Sequence, residues 1–331
     1  MDDMQTDLYG GGQEKGDWLS ELRQGQQVRG VFAVGQVATR PTRTGNAFLS
    51  LVLRDRTGTM DAVGWEHAHL APRLEVGSIV QVSGLVDEYQ GNPQIKLTEL
   101  VPLEEPVDPT FFLPEGPEDR EQLAERLARI REGIATPHLQ QLLDLLFEQE
   151  GLLDAYLRFP AAKHRHQAYV GGLAEHSLNM AEHARYCAGF YPELDGDLLV
   201  TAALLHDIGK LEEFRMDTVI DYTDAGRLEG HIVLGDRLVR RVAESIPDFP
   251  AEQCMLLSHL ILSHQGRLEH ASPVTPKSLE GLVLYVLDML DSRVATWRDI
   301  RRKEGEERRW SAYDRLDEQF WFLGGGDTVA D

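Results

Sequence analysis

The chain has 331 residues, 42% hydrophobic and 27% charged, which is more than one small core needs and suggests two domains. Its formal charge of −22 disfavours an unassisted grip on a polyanion, which rests on Lys and Arg, so nucleic acid would need local basic patches or metal ions. Only Cys187 and Cys254 are present, with no secretory apolar region and no run near the roughly 18 apolar residues that span a bilayer, so a reducing cytoplasm and no membrane partner are expected.

Residues 1–17 are acidic and Gly-rich and are expected to form a loose tail. Over 18–105 the pattern is strand-like. Val28–Val34, Ala47–Leu53, Thr59–Trp65, Ser78–Gly84 and Pro93–Leu97 read as five short strands, with a turn at Asp55-Arg56-Thr57-Gly58. Five such strands suit a small Greek-key barrel of the OB type. The run from Phe48 to Trp65, Phe-Leu-x-Leu-x-Leu-x-Asp-x-Thr-Gly-x-Met-x-Ala-x-x-Trp, also resembles nucleic-acid-binding OB domains of the tRNA-anticodon type. Such barrels stack bases on aromatics beside basic side chains. The candidates are Phe48, Trp65 and Tyr89, with Arg40, Arg43, Arg54, Arg56 and Lys96. The competing reading puts Phe48 and Trp65 in the core. Arg40 and Arg43, in the segment Thr39–Gly45, have less structural work to do.

Residues 106–117 read as a linker, with four prolines between Glu104 and Pro117. From 118 to 323 the expectation is helix and short loop, giving an N-terminal all-β OB barrel and a C-terminal all-α bundle. Glu118–Arg131 and Thr136–Gln149 have 3.6-residue apolar spacing, the second with Thr136 as N-cap and Pro137 at the first helical position. Residues 324–331 read as a flexible tail.

Within the helical part, the apolar run Leu198–Leu205 ends in His206-Asp207-Ile208-Gly209-Lys210. Imidazole and carboxylate suit a divalent cation, Asp207 has two oxygens with which to bridge two ions, and Lys210 could hold a phosphate. Taken alone, the segment also reads as a helix C-terminus with a basic last turn. At 100° per residue His176 falls on the stripe of Leu173, Met180, Ala184 and Cys187. His231 opens a helix after Gly230. On the helix 251–263 the inward stripe of Leu256, Leu257, Leu260 and Ile261 leads to His264, whereas His259 lies off it and is a weaker candidate ligand. Asp288 stands inside the apolar run Leu282–Leu290, where a carboxylate is costly unless paired, protonated or metal-bound; Asp291 competes with it one turn on. So many core-facing His and Asp groups call for a shared partner, and a divalent cation is the economical one.

His176, His206-Asp207 and Asp288 match the pattern of the HD-domain metal-dependent phosphohydrolases, which this stretch resembles. Phe159–Lys163, His166–His176, Glu229–Ile232 and Ile261–His264 are similar to the YhaM family of 3′→5′ exoribonucleases, which places an OB domain before its HD domain. The resemblance implies two divalent ions, with manganese expected: one held by His176, His206, Asp207 and Asp288, the second by His231 and His264 with Asp207 bridging. It implies Asp207 and Lys210 as catalytic residues, the latter on phosphate, and single-stranded RNA as substrate, with ssDNA and a homo-oligomer left open. Gln167 and Gln265 stand where the family often has histidine, which bears on filling of the second site. His164 and His166 are not expected among the ligands. Two rivals remain open: a hydrolase of small nucleotides with a regulatory barrel, and a non-catalytic single-strand-binding protein.

Overall fold

The computed structural model describes residues 14–41, 47–105, 107–163, 167–305, 308–315 and 317–324. Arg43, His164, His166 and most of both expected tails lie outside them. The described chain divides into two units, Met1–Glu115 with Arg215–Asp221, and Gly116–Phe214 with Tyr222–Asp331.

The first unit is a closed five-stranded barrel in the order β1-β2-β3-β5-β4. Its strands are β1 (Gln27–Pro41), β2 (Ala47–Asp55), β3 (Gly58–Gly64), β4 (Ile79–Tyr89) and β5 (Asn92–Leu103). They are longer than the apolar runs suggest because β1 serves two neighbours. It pairs with β4 over Gln27–Ala33 and with β2 over Ala33–Pro41, with an irregularity between Val34 and Gln36. A bulge there turns the strand round the barrel corner. Closure comes from parallel pairing of β3 with β5 at Asp61–Gln94. Leu49, Leu51 and Leu53 of β2 point into the core with Val80, Val82 and Ile95, so Phe48, on the opposite face by strand alternation, is not core.

Two expectations about the barrel's flanks change. Lys15 is buried against Asp55 at 3.3 Å and lies over the Phe32 ring, and Asp17 N donates to Arg29 O, so the barrel begins before residue 18. Val107 and Phe112, inside the expected linker, pack with Val31 and Ala33 in a second apolar cluster.

The second unit is helical: α1 (Arg120–Glu132), α2 (Pro137–Phe147), α3 (Leu152–Arg158), α4 (Gly172–Phe190), α5 (Gly196–Leu205), α6 (Lys210–Glu213), α7 (Asp224–Leu228), α8 (His231–Ser245), α9 (Ala251–Ser263) and α10 (Leu279–Glu304). The expectation of helix and loop alone from 118 to 323 fails at a short two-stranded sheet, β6 (Phe214–Met216) with β7 (Ile220–Tyr222), whose residues Arg215–Asp221 are counted with the first unit. Asp119 and Gln122 form a capping box on α1. Thr136 occupies the N-cap position of α2 but its side chain caps nothing. Its hydroxyl turns instead to Asp197, whose carboxylate accepts from Ala135 N, Thr136 N and Thr136 Oγ1 and so ties down the approach to the helix. No helix among the described residues is long and apolar enough to cross a membrane.

Leu198 to Leu205 on α5 are buried without a break, so this helix is the centre around which the others pack. α10 differs from its sequence reading. Only Leu284 and Leu287 of its apolar run are buried, while Leu282 is 51% and Leu290 47% exposed. Asp288 thus sits at the edge of the core, with its side chain 20% exposed.

Candidate metal centre

Helix ends build most of the centre. His206 is the C-cap of α5 and Asp207 follows it; His264 is the C-cap of α9; His231 is the first residue of α8. His176 and Asp288 come instead from within α4 and α10. The last turn of a helix has carbonyls with no intrahelical donor, and the structure uses them twice. His206 Nδ1 donates to Ala203 O at 2.9 Å, and His264 Nδ1 donates to Ile261 O at 2.7 Å. His176 Nδ1 donates to Asp291 Oδ2 at 2.7 Å, and His231 Nδ1 to Glu213 Oε1 at 3.0 Å. All four partners only accept, so each Nδ1 carries its proton. In the neutral ring each Nε2 is then a lone pair.

Those four Nε2 atoms converge on Asp207. Oδ2 lies 3.4 Å from His206 Nε2 and 3.8 Å from His176 Nε2. Oδ1 lies 3.4 Å from His231 Nε2 and 3.7 Å from His264 Nε2. The carboxylate therefore sits between two imidazole pairs, one to each oxygen. Asp288 Oδ1 adds a further oxygen 3.3 Å from His176 Nε2. Ligand atoms of His176, His206 and Asp288, and those of His206, Asp207 and His264, lie within 4.8 Å of one another; His231 belongs to neither set and reaches the centre only through Asp207.

This arrangement fits a cation better than it fits itself. His176 Nε2 and His206 Nε2 face each other at 3.2 Å, which sets two lone pairs together if both rings are neutral. Asp207 Oδ1 is buried and accepts no hydrogen bond, which is costly for a carboxylate oxygen. Burial pushes the Asp207 carboxyl up, but Lys210, His206 and His231 outweigh it and hold it well below the usual carboxylate range. Asp288 is likewise depressed, chiefly by His176, against its burial. Burial pushes the His176 imidazolium down, yet the hydrogen bonds and charges of Asp288 and Asp291 raise it to about 10. His264, buried and beside His206, is pushed down to about 4. A proton and a metal would compete for His176 Nε2.

A cavity of about 320 Å³ opens on this cluster. Lys210 lines it, with Nζ on Asp207 Oδ2 at 2.5 Å rather than directed at open space. Asp291 does not face the cluster's centre; it orients His176. Gln167 and Asn179 donate to it at 2.8 and 3.1 Å, so the Gln167 that replaces an expected histidine supports the carboxylate that positions His176. Gln265 Nε2 stands 3.5 Å from His231 Nε2 on the cavity wall. His259 lies apart, its Nε2 accepting from Lys277 N at 3.0 Å. Sequence reasoning gave no role to Glu213, or to His270, Tyr285 and Arg293 on the cavity wall.

On the barrel, Phe48 and Trp65 stack with centroids 4.7 Å apart, and Trp65 is 56% exposed. Arg40 pairs across from Phe48, and Arg40 and Tyr89 line a groove with Ser50 and Asp61. Arg54 lies on the same outward face of β2 as Phe48. Arg56 is engaged elsewhere, on Glu115 and over the Trp18 ring at 4.3 Å. Lys96 pairs with Asp87.

Known proteins with this architecture are consistent in kind. The HD-domain profile matches residues 173–293, and a tRNA-anticodon-type profile described as an OB-fold nucleic acid binding domain matches 31–103. The chain is 31% identical to the 3′-5′ exoribonuclease YhaM of Bacillus subtilis, over 85% of this chain and 88% of that one. It is 32% identical to the YhaM of Bacillus velezensis, again over 85% and 88%. With the YhaM of Oceanobacillus iheyensis it shares 30% over 82% of this chain and 85% of the other.

Proposed function

The chain belongs to the YhaM family of 3′-5′ exoribonucleases, and from that premise we propose that it shortens single-stranded RNA from the 3′ end at the His/Asp cluster of its helical unit. It is a metal-dependent hydrolase with an OB-fold nucleic-acid-binding domain. The observation that carries the site is the Asp207 carboxylate, with one imidazole pair at each oxygen and every Nδ1 already committed.

In this reading His176, His206, Asp207 and Asp288 would hold one divalent ion. His231 and His264, sharing Asp207, would hold a second, and manganese is the expected metal. Divalent ions bound there would activate a water and offset charge on the attacked phosphate. Asp291 and Glu213 fix the ring orientation of His176 and His231 by accepting from their Nδ1 atoms. Lys210 offers an ammonium at the cavity wall to the phosphoryl oxygens. Residues 18–105 grip the strand through Arg40, Arg43, Arg54, Phe48 and Trp65, and 118–323 carry the chemistry. Single-stranded DNA is a candidate second substrate, self-association into a homo-oligomer is compatible with this reading, and the cytoplasm is the compartment.

The test is incubation of the full chain with end-labelled RNA and DNA oligomers across a panel of divalent ions. RNA should shorten stepwise from the 3′ end only when an ion is supplied, and chelator should stop it reversibly. Asp207→Ala should retain its helical circular dichroism while hydrolysis is lost. Full turnover by thoroughly demetallated protein would overturn the site. Rapid cleavage of cyclic dinucleotides with no action on polymer would move the substrate to small nucleotides.

A further inference from the structure

The wall of the metal cavity continues into a surface that neither the barrel nor the HD motif accounts for. Arg293, on that wall, is ion-paired with Asp317. Asp317 belongs to the segment after α10, which doubles back on itself through bridges between Trp310 and Phe322 and between Asp314 and Gln319. Four large aromatics stand out from this short segment. Trp310 is 55% exposed, Tyr313 51%, Phe320 59% and Phe322 50%. They form two edge-on pairs, Trp310 with Phe322 and Tyr313 with Phe320, each with centroids 5.2 Å apart. Arg309 lies over the Phe322 ring at 5.6 Å, and Arg301 over Trp297 at 5.4 Å.

Single exposed aromatics are ordinary; four of them, paired and beside arginines, make a patch. Charge selects the occupant. Between Arg293 and Leu323 the sequence has eight Lys or Arg against seven Asp or Glu, in a chain of −22 overall. Three of these bases sit in the last turn of α10, where they also complement the helix dipole. Rings with interleaved arginines, in a protein otherwise repellent to polyanions, are what base stacking on a single strand requires. The Arg293–Asp317 pair ties this segment to a residue of the cavity wall.

We propose that the segment Trp310–Phe322 is a second single-strand-binding surface, which stacks the bases of the RNA 5′ to the end held at the metal centre. It rests on the reading of that centre as the place of 3′-end hydrolysis, and it adds a grip within the helical unit itself. A strand long enough to reach these rings would bind through them, whereas a dinucleotide would not.

The test uses the full chain and the double variant Tyr313→Ala/Phe320→Ala, both positions being exposed, with circular dichroism and melting to establish that the fold is kept. On an oligoadenylate of about 12 nucleotides, within the range of single-strand site sizes, KM should rise about ten-fold, the scale of one or two lost base stacks, with kcat unchanged. KM for a dinucleotide should not move. Separately, with chelator present and no turnover, and in a Trp65→Phe background that silences the barrel's own exposed tryptophan, the same oligoadenylate should quench tryptophan fluorescence, and adding Trp310→Phe should remove most of that quench. Unchanged KM for the long strand, or a quench indifferent to Trp310→Phe, overturns the proposal. So does a change in sedimentation from larger to smaller species with strand affinity intact, which would make the rings a contact between copies. Failure of the wild type to cleave even the dinucleotide would instead strike the assigned reaction, and the chelator arm would still decide this surface.

Discussion

At the scale of single residues, the centre depends on groups that would never touch a metal. Asp291 accepts from His176 Nδ1 and is itself held by Gln167 and Asn179, so it decides which nitrogen of His176 is left to coordinate. Changing such a supporting carboxylate typically costs about 10–100-fold in metal affinity. Asp291→Asn should therefore raise the ion concentration needed for half-maximal activity by that factor, with much of the rate recovered at saturating ion. An equal loss of rate at all ion concentrations would place Asp291 in the reaction itself. The two histidines of α9 separate in the same manner. His264 is 1% exposed with Nε2 directed at Asp207, whereas His259 caps the approach of Lys277. His264→Ala should lower kcat/KM on the order of 100-fold, and His259→Ala should stay close to wild type; equal losses would contradict the geometry.

Among elements, the close approach of α6 to α8 constrains the site. Gly209 has ordinary right-handed backbone, φ −65°, so its glycine is not needed to end a helix. A Cβ there would fall 2.0 Å from His231 O and 2.5 Å from Gly235 N. Gly209 is the N-cap of α6, a position where glycine is already preferred to alanine, and overpacking of this kind adds about 1–3 kcal/mol and displaces His231. Gly209→Ala should thus lower both the melting temperature and the activity. A stabilised variant would show that α8 yields freely. Asp197 joins α5 to the start of α2. Burial pushes its carboxyl up, but hydrogen bonds from Thr136 and Ala135 and the charge of Arg185 bring it below its ordinary value. A depressed folded-state pKa gives stability that is present above the unfolded value, about 3.9, and lost as pH falls through the folded one. Asp197→Ala should cost about 1–2 kcal/mol at neutral pH, with the gap from wild type closing below about pH 4 in acid melts.

For the whole molecule, the charge of −22 sets the problem that the barrel must solve. Arg40 sits at the groove across from Phe48, while Arg56 is spent on Glu115 and Trp18. The two arginines should therefore part company. Arg40→Glu should weaken binding of long single-stranded RNA and flatten its salt dependence, since each lost phosphate contact removes about 0.7 from the log–log slope. Its melting temperature should barely change. Arg56→Glu should instead lower the melting temperature of the barrel unit. If both variants lost strand affinity alike with no change in melting, the groove would not be where the strand lies.

Residue type and spacing determined the five strands of the barrel, the mainly helical second half and the convergence of His176, His206, Asp207, His231, His264 and Asp288, but not the small β6–β7 sheet between the helices. These follow from local periodicity and from the high cost of burying polar groups without a partner, both of which are written in the chain itself. Tertiary structure alone decided that Asp207 presents one oxygen to each imidazole pair and that Asp291 accepts from His176 Nδ1. It alone decided that the Thr136 hydroxyl turns to Asp197 rather than to its own helix, and that the apolar run of α10 is half uncovered. Each of these depends on where a second segment, distant in sequence, comes to rest. Periodicity assigns a side chain to a face; what that face meets is set by packing, and a single chain carries no local record of it.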